Sequence, residues 1–154
     1  MEGYSVPYLP DLTPYPNLED MSRNFGWPPP GTSALTVGWL APEHNFPTAF
    51  PESSFLDSLF YLCAHHSILR TRGFHSCALP HTAKPAAPYP ARRGGEEAWL
   101  GSAEISVVAA DGKLLFAPNL VFHYVEEHHY QPPDIFIEAV LAGRTVVLPT
   151  NFLL

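Results

Sequence analysis

Basic residues are scarce. Eight Lys and Arg stand against fifteen Asp and Glu in 154 residues, a formal net charge of −7, which excludes a dedicated binder of DNA or of an anionic membrane surface. Cysteine is scarcer still, at 2, too few for a disulfide scaffold. No apolar run approaches the roughly 20 residues that span a bilayer. Met1, Glu2, Gly3 and Tyr4 lack the basic start and apolar stretch of a signal peptide, so a soluble, cytoplasmic protein is expected. Also missing are a P-loop, a GxGxxG turn and a GxSxG elbow, and with them the usual phosphate cradles and serine nucleophiles. What the chain has in plenty is proline, 18 residues, and aromatics, 13%; the aromatics supply the apolar surface that a fully disordered chain lacks.

Ten of the prolines lie between Pro7 and Pro51, so residues 1–50 read as a non-helical, extended segment that wraps the core. Its strand-like run is Ala34 to Leu40, and its expected anchors are Tyr4, Tyr8, Leu9, Leu12, Tyr15 and Phe25. Over residues 51–66 the period changes. Phe55, Leu59, Leu62 and His66 share one helical face behind Ser53 and Ser54, either of which can cap. Residues 67–101 show no periodic element, and Lys84 to Gly95 reads as an exposed loop. From 102 to 154 a hairpin (about 103–117) turns at Asp111-Gly112. A helix follows from a cap at Asn119 to about Tyr130, and a second runs from Pro133 to Ala142 and stops at Gly143. Thr145 to Leu148 read as a last strand. The whole chain therefore reads as one α+β domain, a small, mainly antiparallel sheet packed by three helices.

Charge is segregated along the chain. Residues 1–60 carry a net −6, residues 61–93 a net +5 without a single acid, and residues 94–154 a net −6. Arg70, Arg72, Lys84, Arg92 and Arg93 are thus candidates for gripping an anion or an acidic partner through the planar guanidinium fork. The competing reading is a set of ordinary surface ion pairs.

Both cysteines and four histidines fall between Cys63 and His81, and thiolate with imidazole is the ligand set that zinc prefers. The candidate ligands are Cys63, His75, Cys77 and His81, of which only Cys77 and His81 have a familiar i, i+4 separation. The alternative treats Cys63 as a buried apolar residue and His75 as a hydrogen-bonded loop residue. A second candidate group is His123, Glu127 and His128. It fails the HExxH pattern because Tyr124 follows His123, and the inverted pattern because Glu127 stands where the second His belongs. His123 with Glu127 then reads as a solvent-facing pair, and His128 as a buried histidine beside Tyr124.

Three blocks are similar to an uncharacterised family of small bacterial proteins. They are Thr71-Arg72-Gly73-Phe74-His75-x-Cys77, then Gly101 to Ile105, then Ala117-Pro118-Asn119-Leu120 through His123-Tyr124-Val125, His128, Pro132-Pro133 and Phe136 to Val140. The resemblance extends to Gly38-Trp39-Leu40 and implies no established activity. In that family the central block continues as a CxxC pair, whereas here Pro80 fills the second position with His81 beside it.

The expected function is a non-enzymatic binding protein, immunity- or defence-associated by analogy, that engages another protein and neither nucleic acid nor membrane. Its cofactor is either none or a zinc staple. The alternative is a metal- or cysteine-dependent enzyme using the His/Cys/Glu cluster, which requires the loop after the first helix to meet the penultimate helix.

Overall fold

A computed structural model describes residues 4–5, 8–16, 18–70, 74–83, 88–146 and 148. The expected anchor side chain of Tyr4, the residues Arg72 and Lys84 and the centre of the last predicted strand at Val147 lie outside them. The elements in chain order are β1 (Tyr4–Ser5), α1 (Leu18–Phe25), β2 (Ala34–Thr36), α2 (Ser53–His65), β3 (His75–Ser76), β4 (Tyr89–Arg93), β5 (Glu96–Leu100), β6 (Glu104–Val108), β7 (Leu114–Pro118), α3 (Val121–His128) and α4 (Asp134–Ala142). This is an α+β domain. Among the described residues no helix is long and apolar enough to cross a membrane.

The main sheet has three strands in the order β2-β7-β6. The β6/β7 hairpin pairs Glu104 with Pro118 and Val108 with Leu114. It turns at Asp111-Gly112, where the Asp111 carboxylate accepts the Lys113 amide. β2 lies parallel to β7, which makes the sheet mixed. Every side chain of β7 is buried, and the period of two sends them to two layers. Leu115 and Ala117 face a large core with α2, α3, α4 and the β4/β5 hairpin. Leu114 and Phe116 face a smaller one with Met21, Trp27, Ala34 and Ile68. The proline-rich third thus covers the back of the sheet. Tyr15 stacks on Phe116 at 4.2 Å, and the buried Trp39 indole donates to the Phe116 carbonyl at 3.0 Å. Leu12 and Phe25 are 40% and 44% exposed and do not anchor it.

Several expectations need correction. The first third contains a helix, α1, because the chain from Asn17 to Trp27 is free of proline and has room for two turns with Glu19 and Asp20 at the N-terminus and Arg23 at the other end. The region read as a loop contains the β4/β5 hairpin. Gly94 and Gly95 supply the paired positive φ, 58° and 82°, of a two-residue turn, and Ala91, Ala98 and Leu100 point inward while Arg92 faces Glu97. With α1 there are four helices among the described residues. Neither Ser53 nor Ser54 caps α2, whose N-cap is Glu52 without a side-chain bond. Asn119 does not cap α3 either, because its carbonyl oxygen accepts the Gly101 amide at 2.8 Å and its amide donates to Ser67. Gly143 ends α4 in the left-handed conformation, and Thr145 makes a single bridge to Val107.

Glu104, at the start of β6, accepts the Tyr15 hydroxyl at 2.7 Å. Burial pushes its carboxyl up to about 7, against a partial offset from the Tyr15 hydrogen bond. The folded state therefore holds the proton more tightly than the unfolded chain. This contribution to stability is complete below about pH 4.5 and is lost as the pH rises through about 7. Glu104→Gln keeps an acceptor for Tyr15 but cannot ionise. It is expected to match the wild type in thermal melts at low pH and to gain on it by about 2 kcal/mol near neutrality, a figure discounted for partial exposure. Parallel melting-temperature curves across this range would refute the assignment.

Candidate metal centre

The site is built from two pieces of chain whose closest members are 42 positions apart. The first is the irregular stretch after β3. Here the backbone is held by the His75 amide, which donates to the Gly101 carbonyl at 2.6 Å. Gly101 has φ +119°, and a Cβ there would stand 2.7 Å from the His75 carbonyl oxygen, so any other residue would force β3 away. Cys77 and Leu79 are buried, at 6% and 4% exposure, and these two inward side chains carry the chain round to His81. The second piece is α3, set in the core by Val121, Phe122, Tyr124 and Val125. It offers His123 from its first turn and His128 from its last residue.

The Nε2 atoms of His81 and His123 are 3.1 Å apart, and those of His81 and His128 are 3.0 Å apart. Cys77 Sγ is 3.5 Å from His128 Nε2, and the four ligand atoms all lie within 4.8 Å of one another. A tetrahedral zinc site with bonds of about 2.0–2.1 Å to nitrogen and about 2.3 Å to sulfur has edges of about 3.3 Å between nitrogens and about 3.6 Å from nitrogen to sulfur. The three short separations, 3.1, 3.0 and 3.5 Å, are close to these edges. Without an ion they are hard to satisfy, because a neutral imidazole nitrogen carries either one proton or one lone pair, and His81 Nε2 meets two other nitrogens at once. A cation accepting every lone pair removes the conflict.

The surroundings of His123 and His128 favour neutral imidazole, the form a metal requires. Burial, with His128 and His81 adding to it, lowers His123 to about 3. Burial and His81 also lower His128. His123 is 1% exposed and its Nδ1 is buried without a hydrogen-bond partner among the described residues, so the Nε2 edge facing the group is where this ring makes its polar contacts. Tyr89 of β4 covers His123 with ring centroids 4.3 Å apart. Burial pushes the Cys77 thiol up to about 11, with a smaller upward push from Glu127 and an opposing hydrogen bond from the Leu79 backbone. Such a thiol is not an activated nucleophile by itself, whereas a bound cation would deprotonate it. Three neutral imidazoles and one thiolate around a divalent ion leave one positive charge, and the Glu127 carboxylate is the nearby countercharge felt by Cys77 and His128.

The structure joins two members of each group read from the sequence. Cys77 and His81 meet His123 and His128; Cys63, His75 and Glu127 are outside the set. Cys63 is buried on α2, its thiol bonded to the backbone of Phe122. His75 is in β3. The solvent-facing His123–Glu127 pair is corrected, since His123 is buried against His81, and His128 is half-buried in the same cluster. Residues five apart lie about 140° apart on a helix, so a search at i, i+4 passes over His123 and His128. They converge because His81 enters between them and α3 ends at His128. The signal available in the sequence was two pairs, Cys77 with His81 and His123 with His128, each too sparse to stand as a site alone.

Among the described residues, the candidate arginines Arg70, Arg92 and Arg93 each have a partner within the chain. Arg70 donates to Ser102 Oγ at 3.1 Å, Arg92 pairs with Glu97 at 2.5 Å and Arg93 with Asp57 at 2.6 Å; Arg93 also reaches Ser53. They tie the central segment to itself and to the acidic elements around it.

A profile of the family described as "Domain of unknown function (DUF7919)" matches residues 7–141. The chain belongs to that family. No curated protein and no solved structure matches it. Cys77, His81, His123 and His128 all lie inside the matched span.

Zinc content measured on purified variants separates the two ligand sets. Cys77→Ala and His123→Ala are expected to lose at least nine-tenths of the bound metal, while Cys63→Ala and His75→Ala keep the wild-type content; the reverse pattern would overturn the assignment.

Proposed function

We propose that this chain is a non-catalytic interaction protein stapled by one zinc ion, and that the ion fastens the 77–83 stretch to α3. The observation that carries the reading is the convergence of four protein donor atoms, one thiol and three imidazoles, within 4.8 Å. Four protein ligands fill a tetrahedral shell and leave no position for substrate, which is the pattern of structural rather than catalytic zinc. The interaction role is supported by the charge segregation, with net −6 on each flank, a surface suited to a basic protein partner. An immunity or defence-accessory role in a bacterial cytoplasm fits a small acidic protein of this kind, by analogy.

A second reading is a metal-dependent hydrolase. It is favoured by the half-exposure of His81 and His128 and by the proximity of Glu127 and the Tyr89 hydroxyl to Cys77. If His81 gave way to water, three protein ligands and a carboxylate base would remain.

Elemental analysis of the untagged protein is expected to find one zinc per chain. Stripping it with a chelator should lower the melting temperature by about 10 °C, the shift that ligand linkage of about 4 kcal/mol produces in a domain of this size, and added zinc should restore it. Cobalt in place of zinc then distinguishes the readings. A closed site gives a tetrahedral cobalt spectrum indifferent to added azide, and a hydrolytic site one that azide changes. Absence of metal, together with a melting temperature that zinc does not move, would refute both.

A further inference from the structure

Away from the metal centre, the segment before α2, the end of α3 and the outer face of α4 enclose an open cavity of about 260 Å³. Its floor is Phe55, Val125 and Tyr130, all at or below 4% exposure, and its rim holds Phe50, Ile137 and Leu141. Phe50 is 87% exposed and Leu141 47%, an arrangement that leaves large apolar surface in water beside a preformed hollow. Phe50 is held in place. The Ala49 amide donates to the His129 carbonyl at 2.9 Å, and the His129 ring packs on Phe50 at 4.6 Å.

The chain that builds this hollow is acidic, and Arg93 and Arg144 approach it as partners of its acids. The two stretches that build it, residues 41–64 and 121–142, carry seven acids and no Lys or Arg. Asp57 is taken up by Arg93 and Glu138 by Arg144, and Arg93 also acts on Glu126. Glu52 on the rim and Asp134 at the start of α4 have no ion pair among the described residues. An apolar floor with Glu52 as the charged residue of its lining disfavours an anionic ligand, and the cavity is smaller than the roughly 300–1,000 Å³ usual for a site that encloses a small molecule.

We propose that this hollow is the docking site for a basic amphipathic segment of a partner protein, one aromatic or aliphatic side chain seated between Phe50 and Leu141 and its Lys or Arg residues over Glu52 and Asp134. This deepens the interaction reading above and rests on it, but it does not depend on the ion. A buried apolar anchor supplies affinity, while the charged rim supplies attraction and selectivity.

The test uses the full-length protein, its metal content measured on every sample, and a fluorescein-labelled amphipathic helical peptide with leucine and tryptophan on one face and lysine on the other. A second peptide carries glutamate in place of lysine. The lysine peptide is expected to bind saturably, at least tenfold more tightly than the glutamate peptide, with the difference shrinking as salt is raised. Phe50→Ala with Leu141→Ala, both at exposed positions and so compatible with folding, should weaken it at least tenfold, and Glu52→Lys severalfold. Binding that these variants leave unchanged would overturn the docking site while sparing the interaction reading. Failure of both peptides to bind would overturn the site and remove its support from that reading. Sedimentation showing a dimer that Phe50→Ala dissociates would assign the hollow to a second copy of this chain and overturn the proposal.

Discussion

β7 is buried on both faces, and the two layers of the molecule take their positions from it. A five-residue strand with no polar side chain can be stable only as the centre of a sheet with cover on each side. β6 pairs along one edge and β2 along the other. The helical layer then closes over Leu115 and Ala117, and the proline-rich segment closes over Phe116 through Tyr15 and Trp27. Proline suits that second task. Its fixed φ keeps the segment extended at little entropic cost, while the amides of Leu9, Leu12 and Tyr15 are satisfied by carbonyls of residues 34–39.

The same strand sets the Cys/His cluster, because α3 starts within three residues of the end of β7. Asn119, between them, ties the Gly101 amide to Ser67, and Gly101 in turn holds β3, from which Cys77 follows directly. The two halves of the ligand set are therefore linked through one buried asparagine and one glycine that tolerates no Cβ. That rigidity matters. Holding His81 Nε2 about 3 Å from the Nε2 atoms of His123 and His128 is unfavourable in the absence of a cation, and the link through Asn119 and Gly101 keeps the two pieces of chain together.

Much of the fold was legible in particular residues. Phe55, Leu59 and Leu62 marked α2, Asp111-Gly112 marked the β6/β7 turn, and Gly143 marked the end of α4. The β4/β5 hairpin was hidden because proline and alanine dilute its alternation, and only Gly94-Gly95 pointed to it. α1 was hidden by proline on both sides. Asn119 and the two serines that begin α2 looked like caps, since capping preference is read from local residue type; tertiary contacts claimed Asn119 for Gly101 instead. The four members of the Cys/His cluster were visible as residue types but not as a set.

Sequence alone determined the class of the molecule: the acidic balance, the scarcity of cysteine, the helical period after Pro51 and the hairpin before Pro118 are all local or additive properties that any fold must respect. It also determined the chemistry on offer, with Cys77, His81, His123 and His128 present in two short stretches. Only the tertiary structure decided which of the histidines and cysteines meet. Contact between residues 77–81 and 123–128 is a matter of strand order and of how the chain returns across the sheet. Those choices follow from burying β7 on both faces, and no pattern within either stretch encodes them.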